Sequence, residues 1–217
     1  MTRIVIVDDH PLVRDQLRAM VESEADLRIC GEAEDCHHAL DVIKSEQPDM
    51  AIIDLMLKGC RGGLELVKDI HERHPRLFML VVSMHDESLY AERAIRAGAR
   101  GYITKQEATK EILQAIRRVL SGQIYLSDKM AAKVLTKMTA GRSTRGKSSI
   151  ECLTDRELQV FRLIGHGRST QQIANELHLD TKTIETYRAR IKIKLDIRDA
   201  RELLQQAILW AHTTGSV

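Results

Sequence analysis

At 217 residues, with 43% hydrophobic and 29% charged residues, the chain has an ordinary globular composition and room for two small domains or one larger one. Its longest apolar stretches, such as residues 77–82, are too short to span a bilayer, and Met1-Thr2-Arg3 leads straight into a strand-like run rather than a secretory leader, so a cytoplasmic protein is expected. The net charge of +2 conceals an asymmetry, because residues 181–195 carry five cations against the single acid Glu185, and the stretch 139–150 adds Arg142, Arg145 and Lys147 without an acid.

The first 121 residues alternate between two periods. Apolar, β-branched runs at 3–7, 27–33, 50–55, 77–83 and 101–104 predict strands. Helical spacing fills the intervals at 11–23, 36–45, 64–74, 88–97 and 109–120, with Pro11 suited to a first helical turn and Gly98 to a helix end. Five strands alternating with five helices imply an α/β domain with a parallel, doubly wound sheet, whose sites fall at the carboxyl ends of the strands. Apolar periodicity is then lost in the Gly, Ser, Thr and Arg-rich run TAGRSTRGKSS, which reads as a linker. The division expected is 1–122, a linker at 123–150, and a second domain at 151–217. Beyond the linker no strand signal returns. Thr154…Glu157 and Ser169…Gln172 fit capping boxes, Asp180 fits a helix cap, and residues 200–210 give a fourth helix, so this domain is expected to be all-helical. The four cysteines, Cys30, Cys36, Cys60 and Cys152, have no CxxC spacing and are expected to be reduced.

Asp8 and Asp9 close the first predicted strand, Asp54 the third and Ser83 the fourth, while Lys105 follows the fifth. A parallel sheet gathers all five at one edge. Three carboxylates together repel one another and call for a cation, for which Mg2+, with its preference for oxygen ligands, is the natural choice. A hydroxyl and an ammonium opposite that cation make a phosphate-sized site. Taken singly, Asp8 and Asp9 could cap the helix near Pro11 and Asp54 could be a turn residue, but that reading leaves their coincidence with Ser83 and Lys105 unexplained.

The order Asp-Asp, Asp, Ser, aromatic, Lys over residues 1–121 resembles the CheY-like receiver domain. The resemblance implies that Asp54 accepts a phosphoryl group from a sensor histidine kinase. It implies Mg2+ bound by Asp9 directly, by Asp8 mainly through water, and by the backbone carbonyl of Met56. Lys105 would pair with the phosphoryl group, Ser83 would hydrogen-bond to it, and Tyr102 would be the aromatic that turns inward on activation. This chain departs from the usual receiver pattern after the acceptor, with Leu57-Lys58 where Met-Pro is common, and after the lysine, where Gln106 replaces proline. His85 is expected to be a loop residue affecting access of water to the site.

Residues 152–211 resemble the LuxR/NarL-type tetrahelical helix-turn-helix domain through LTDRE, IGHG, QQIANEL and TKTIETYRARIKIKL. Here Gln171-Gln172 stand where that family usually has Lys-Glu, and Tyr187 stands where it commonly has His. The resemblance makes 181–195 the recognition helix, with Glu185, Thr186 and Ala189 facing base edges. Lys182, Tyr187, Arg188, Arg190, Lys192 and Lys194 would be phosphate contacts, about a third of them turned away by the helix geometry. Trp210, Leu203 and Leu204 are either core or dimer contacts. The whole then resembles a two-component response regulator of the NarL/FixJ type. That resemblance implies a transcription factor rather than an enzyme, with a sensor histidine kinase, promoter DNA and a second phosphorylated copy as partners. A phosphohydrolase using Asp54 would need a second acid two residues on, and that position is Met56.

Overall fold

A computed structural model describes residues 1–57, 62–84, 87–132, 149–177 and 179–214. The first unit alternates β1 (Thr2–Val7), α1 (Pro11–Glu22), β2 (Leu27–Ala33), α2 (Cys36–Glu46), β3 (Met50–Ile53), α3 (Gly63–Arg73), β4 (Phe78–Ser83), α4 (Glu87–Ala97), β5 (Gly101–Thr104) and α5 (Lys105–Leu120). All strand pairings are parallel and the spatial order is β2-β1-β3-β4-β5. Strands buried on both faces need continuous apolar runs, and β3 is buried at all four positions. Ile4, Ile6, Ile52, Leu80 and Val82 pack on one face against Leu17 and Val21 of α1 and Ile112, Ile116 and Val119 of α5.

Two boundaries differ from the sequence expectation for identifiable reasons. Helix α5 begins at Lys105 rather than Thr109, because Thr104 and Glu107 form a capping box that satisfies the free N–H groups of its first turn. The segment expected to open the linker at 123 instead packs on the first unit. The Tyr125 N–H donates to the Arg100 carbonyl at 2.9 Å, and the Tyr125 carbonyl accepts from the Tyr102 N–H at 3.0 Å. Its phenol donates to Glu111 at 2.5 Å, and the Ser127 N–H donates to Glu87 at 2.8 Å. Burial of Tyr125 and Met130 holds the chain there. Two compact units divide at Thr139/Ala140. Cys36 is disulfide-bonded, which corrects the expectation of four reduced thiols, while Cys30 and Cys152 are free.

The second unit opens with a 3-10 turn (Ser149–Cys152), followed by α6 (Asp155–Gly165), α7 (Thr170–Glu176), α8 (Thr181–Leu195) and α9 (Ala200–Thr214). Both expected capping boxes and the Asp180 cap form at the positions read from the sequence. Leu158, Phe161, Ile173, Ile184, Ile191 and Leu203 are core residues. Gly165 is required by close packing: a Cβ there would lie 2.4 Å from the Ala207 carbonyl oxygen of α9. Trp210 packs its ring on Phe161, with centroids 5.5 Å apart. Leu203 is therefore core, whereas Leu204 and Leu209 stay exposed on the same helix.

Candidate acidic site and nucleic-acid interface

The chain crosses the carboxyl edge of the sheet at each strand end, and the reacting groups collect there. The Asp54 N–H donates to the Val7 carbonyl at 2.8 Å, which fixes the residue after β3 beside the end of β1. Asp8 and Asp54 are each 2% exposed, and Ser83 is fully buried. Lys105 spans the cluster, its Nζ lying 2.7 Å from both Asp8 Oδ2 and Asp54 Oδ2. Asp8 accepts from the His10 N–H at 2.9 Å, and Asp54 from the Met56 N–H at 3.2 Å. The N-cap residue of α1 is His10, which makes no side-chain cap bond. Gly63 is dictated by this site, because a Cβ there would meet the Asp54 carbonyl oxygen at 2.4 Å where α3 begins.

Burial pushes the Asp54 carboxyl upward from its ordinary value, with the Lys105 ammonium opposing that shift and the Asp8 charge adding to it. Burial works against the charge on Lys105 too, but its two carboxylate partners outweigh it and raise the ammonium's pKa. One ammonium against three carboxylates leaves about two negative charges, which suits a divalent cation held by hard oxygens. Asp8, Asp9 and Asp54 offer ligand atoms within 4.8 Å of one another, in a group that also contains His10. The donor set thus fits Mg2+.

Tyr102 departs from the expected behaviour. Its ring is already fully buried, and its phenol shares a hydrogen bond with Ser83, while burial pushes its pKa well up. The side chain does not wait outside to turn in. It fills the space beneath the Ser83 hydroxyl. His85, Lys58, Cys60 and nearly all of residues 133–150 lie outside the described residues. His10 and Arg14 were missed by sequence reasoning. Arg14 donates to the Asp8 carbonyl at 2.7 Å and to Glu32 at 3.1 Å, bracing the turn that carries both N-terminal acids.

In the second unit, Ile184, Ile191 and Leu195 anchor α8 in the core. The opposite side exposes Lys182, Glu185, Thr186 and Ala189, with Arg190 exposed beside them. Tyr187, Arg188 and Lys192 are half-buried at the margins. The Lys194 ammonium pairs with the buried Glu157 at 2.6 Å. Glu185 accepts from the Thr170 hydroxyl of α7 at 2.8 Å, and Arg188 stands 3.8 Å away. Gln172 compensates for the missing acid at its position by accepting from the Ser169 N–H at 2.9 Å.

A buried aspartate bridged by lysine to a second carboxylate at the edge of a five-stranded parallel sheet defines a receiver-type domain, here joined to a helix-turn-helix unit. Residues 4–117 match the response regulator receiver domain, and residues 151–207 match the bacterial regulatory proteins of the luxR family. The chain is 33% identical over 208 residues to the response regulator GacA of Pseudomonas aeruginosa, covering 96% of each chain. It is 33% identical over 214 residues to the transcriptional regulatory protein LiaR of Bacillus subtilis, covering 98% of this chain and 97% of that one. Among solved structures it is similar to RcsB of Salmonella enterica serovar Typhimurium bound to promoter rprA in the presence of the phosphomimetic BeF3−. That match has a TM-score of 0.63 at 25% identity, over 94% of this chain and 96% of that one. The chain belongs to the NarL/FixJ-type response regulators, DNA-binding transcriptional regulators with a receiver and a LuxR-type helix-turn-helix domain. Among the described residues no helix is long and apolar enough to cross a membrane.

Proposed function

We propose that Asp54 accepts a phosphoryl group from a sensor histidine kinase and that this event controls binding of residues 151–214 to promoter DNA in the cytoplasm. The observation that carries the reading is Lys105 Nζ, 2.7 Å from both Asp54 and Asp8 in a buried pocket that also holds Asp9. Asp8, Asp9, Asp54 and the Met56 carbonyl would hold Mg2+, which when bound neutralises charge on the phosphoryl oxygens. A carboxylate oxygen of Asp54 forms the new bond to phosphorus, and the donor's bond to phosphorus breaks. Lys105, already within hydrogen-bond reach of Asp54, pairs with the added charge. Ser83 turns its hydroxyl toward the phosphoryl oxygens and gives up part of its bond to Tyr102. The switch is then a change in the partners of an already buried tyrosine, transmitted to the surface formed by α4 and β5.

For DNA, Glu185, Thr186 and Ala189 would face base edges. Lys182, Tyr187, Arg188, Arg190 and Lys192 would contact phosphates, the first three reading positions being supported by their exposure opposite the core. The exposed Leu204 and Leu209 of α9 suit a second phosphorylated copy on a paired half-site. Asp54 serves as an acceptor and not as the nucleophile of an enzyme, since Met56 stands where a hydrolase needs its second acid. Wild type and Asp54→Asn, incubated with acetyl phosphate with and without Mg2+ and weighed intact, test this. One phosphoryl group on wild type, dependent on the ion and absent from the variant, is expected. Equal uptake by both would overturn the assignment.

A further inference from the structure

We propose that His10 adds a nitrogen donor to the divalent-cation site, so that this receiver favours a transition-metal ion such as Mn2+ over Mg2+ more strongly than its carboxylates alone would. The proposal rests on the reading that Asp8, Asp9 and Asp54 hold a cation. His10 follows Asp9 and occupies the N-cap position of α1 in extended conformation, with Pro11 fixing the first turn. Short side chains with an oxygen acceptor ordinarily cap the helix from that position. That of His10 makes no cap bond and turns back onto the acids, with Nδ1 2.7 Å from Asp9 Oδ1 and 3.2 Å from Asp8 Oδ1.

The cluster is divided between two partners. Lys105 takes the Oδ2 atoms of Asp8 and Asp54, while His10 takes the Oδ1 atoms of Asp8 and Asp9. The two arrangements differ in chemistry, because an ammonium only donates whereas a neutral imidazole carries a lone pair. Neighbouring ligands around an octahedral ion with bonds of about 2.1 Å stand roughly 3 Å apart. The imidazole nitrogen meets its two carboxylate oxygens on either side of that spacing. Without a cation the ring nitrogen shares a hydrogen bond with Asp8 Oδ1 and lies close to Asp9 Oδ1, and the ring, 60% exposed, is free to reorient when those acids take up an ion. Mg2+ gains little from the ring, since it prefers oxygen ligands and retains its waters. Ions later in the transition series gain progressively more from imidazole.

Calorimetric titration of the full-length protein with Mg2+ and with Mn2+, in mildly alkaline buffer, reads the affinity ratio. Pulsed electron paramagnetic resonance of the Mn2+ complex detects nitrogen bound to the ion. Wild type is expected to show nitrogen coupling. In His10→Ala the coupling disappears and the Mn2+:Mg2+ affinity ratio falls about tenfold, with Mg2+ affinity itself nearly unchanged. Asp9→Asn is expected to weaken both ions. Both ions bound by wild type without nitrogen coupling, or coupling that persists in His10→Ala, would overturn the role of His10 alone. Failure of wild type to bind either ion would instead overturn the cation-site reading beneath it.

Discussion

The acidic edge of the receiver and the basic face of α8 both place charge where function needs it, by opposite means. At the receiver edge the charges are buried and mutually dependent: Asp54 and Asp8 share one ammonium, and each is 2% exposed. On α8 the charges project from a helix held by apolar anchors at Ile184, Ile191 and Leu195, and Lys182 and Arg190 face solvent there. In a buried cluster the loss of one partner strands another charge in a low dielectric, so single substitutions have large effects. On an exposed helix each side chain contributes separately and the effects grade.

The strongest way to break this contrast is Lys105→Met. Two buried carboxylates lose their shared partner, and denaturant unfolding is expected to report a loss of about 3 kcal/mol in the receiver. Mg2+ is expected to restore much of it, because the ion replaces the missing positive charge. A loss below about 0.5 kcal/mol would place these charges with ordinary surface pairs. A comparable but purely steric effect is expected in the second unit from Gly165→Ala, whose Cβ would meet the Ala207 carbonyl oxygen at 2.4 Å. Forced overpacking costs about 1–3 kcal/mol. The only tryptophan, Trp210, packs on Phe161 of α6, so its fluorescence reports that unfolding.

Much of this comparison was legible in the amino-acid order, unevenly. The strand ends carrying Asp8, Asp54, Ser83 and Lys105 followed from alternating periods and the rule for parallel sheets. The caps at Thr154, Ser169 and Asp180 depend on neighbours within three residues and were readable directly. The pairing of Lys194 with Glu157 and of Glu185 with Thr170 joins residues 37 and 15 positions apart, and helical spacing alone gives no sign of either.

On the DNA side the expected effects are smaller. Glu185→Ala is expected to cost about 1 kcal/mol of discrimination at one base pair while general affinity holds or rises, since an acid among cations repels phosphate. Thr170→Val, which removes the hydroxyl that orients Glu185, is expected to reproduce part of that loss. Lys192→Ala is expected to weaken all sequences alike and to make the logarithmic salt slope shallower by about 0.9. Binding-site selection and salt titration separate the two, and identical selected sites for wild type and Glu185→Ala would remove Glu185 from readout.

The smallest effect concerns Glu157. Burial alone would raise its pKa, but the Lys194 ammonium and the Thr154 cap outweigh that and hold it below the ordinary 4.5. A depressed carboxylate stabilises the fold fully above the unfolded value and loses that contribution as pH falls through the folded one. The helical unit is therefore expected to lose on the order of 1 kcal/mol as pH drops below 4.5, and Glu157→Gln is expected to flatten that slope in Trp210 fluorescence.

By itself the sequence determined the order of elements, the family and the identity of the acids, because periodicity, caps and strand-end positions are properties of neighbours along the chain. Tertiary structure alone decided that Lys105 bridges Asp8 and Asp54, that Tyr102 is already buried under Ser83, and that residues 123–132 belong to the receiver. It also decided that the His10 imidazole faces the acids instead of capping α1. Each depends on packing and charge compensation between segments far apart in the chain or on the direction of a side chain, and the free energy of a buried contact is set by what surrounds it.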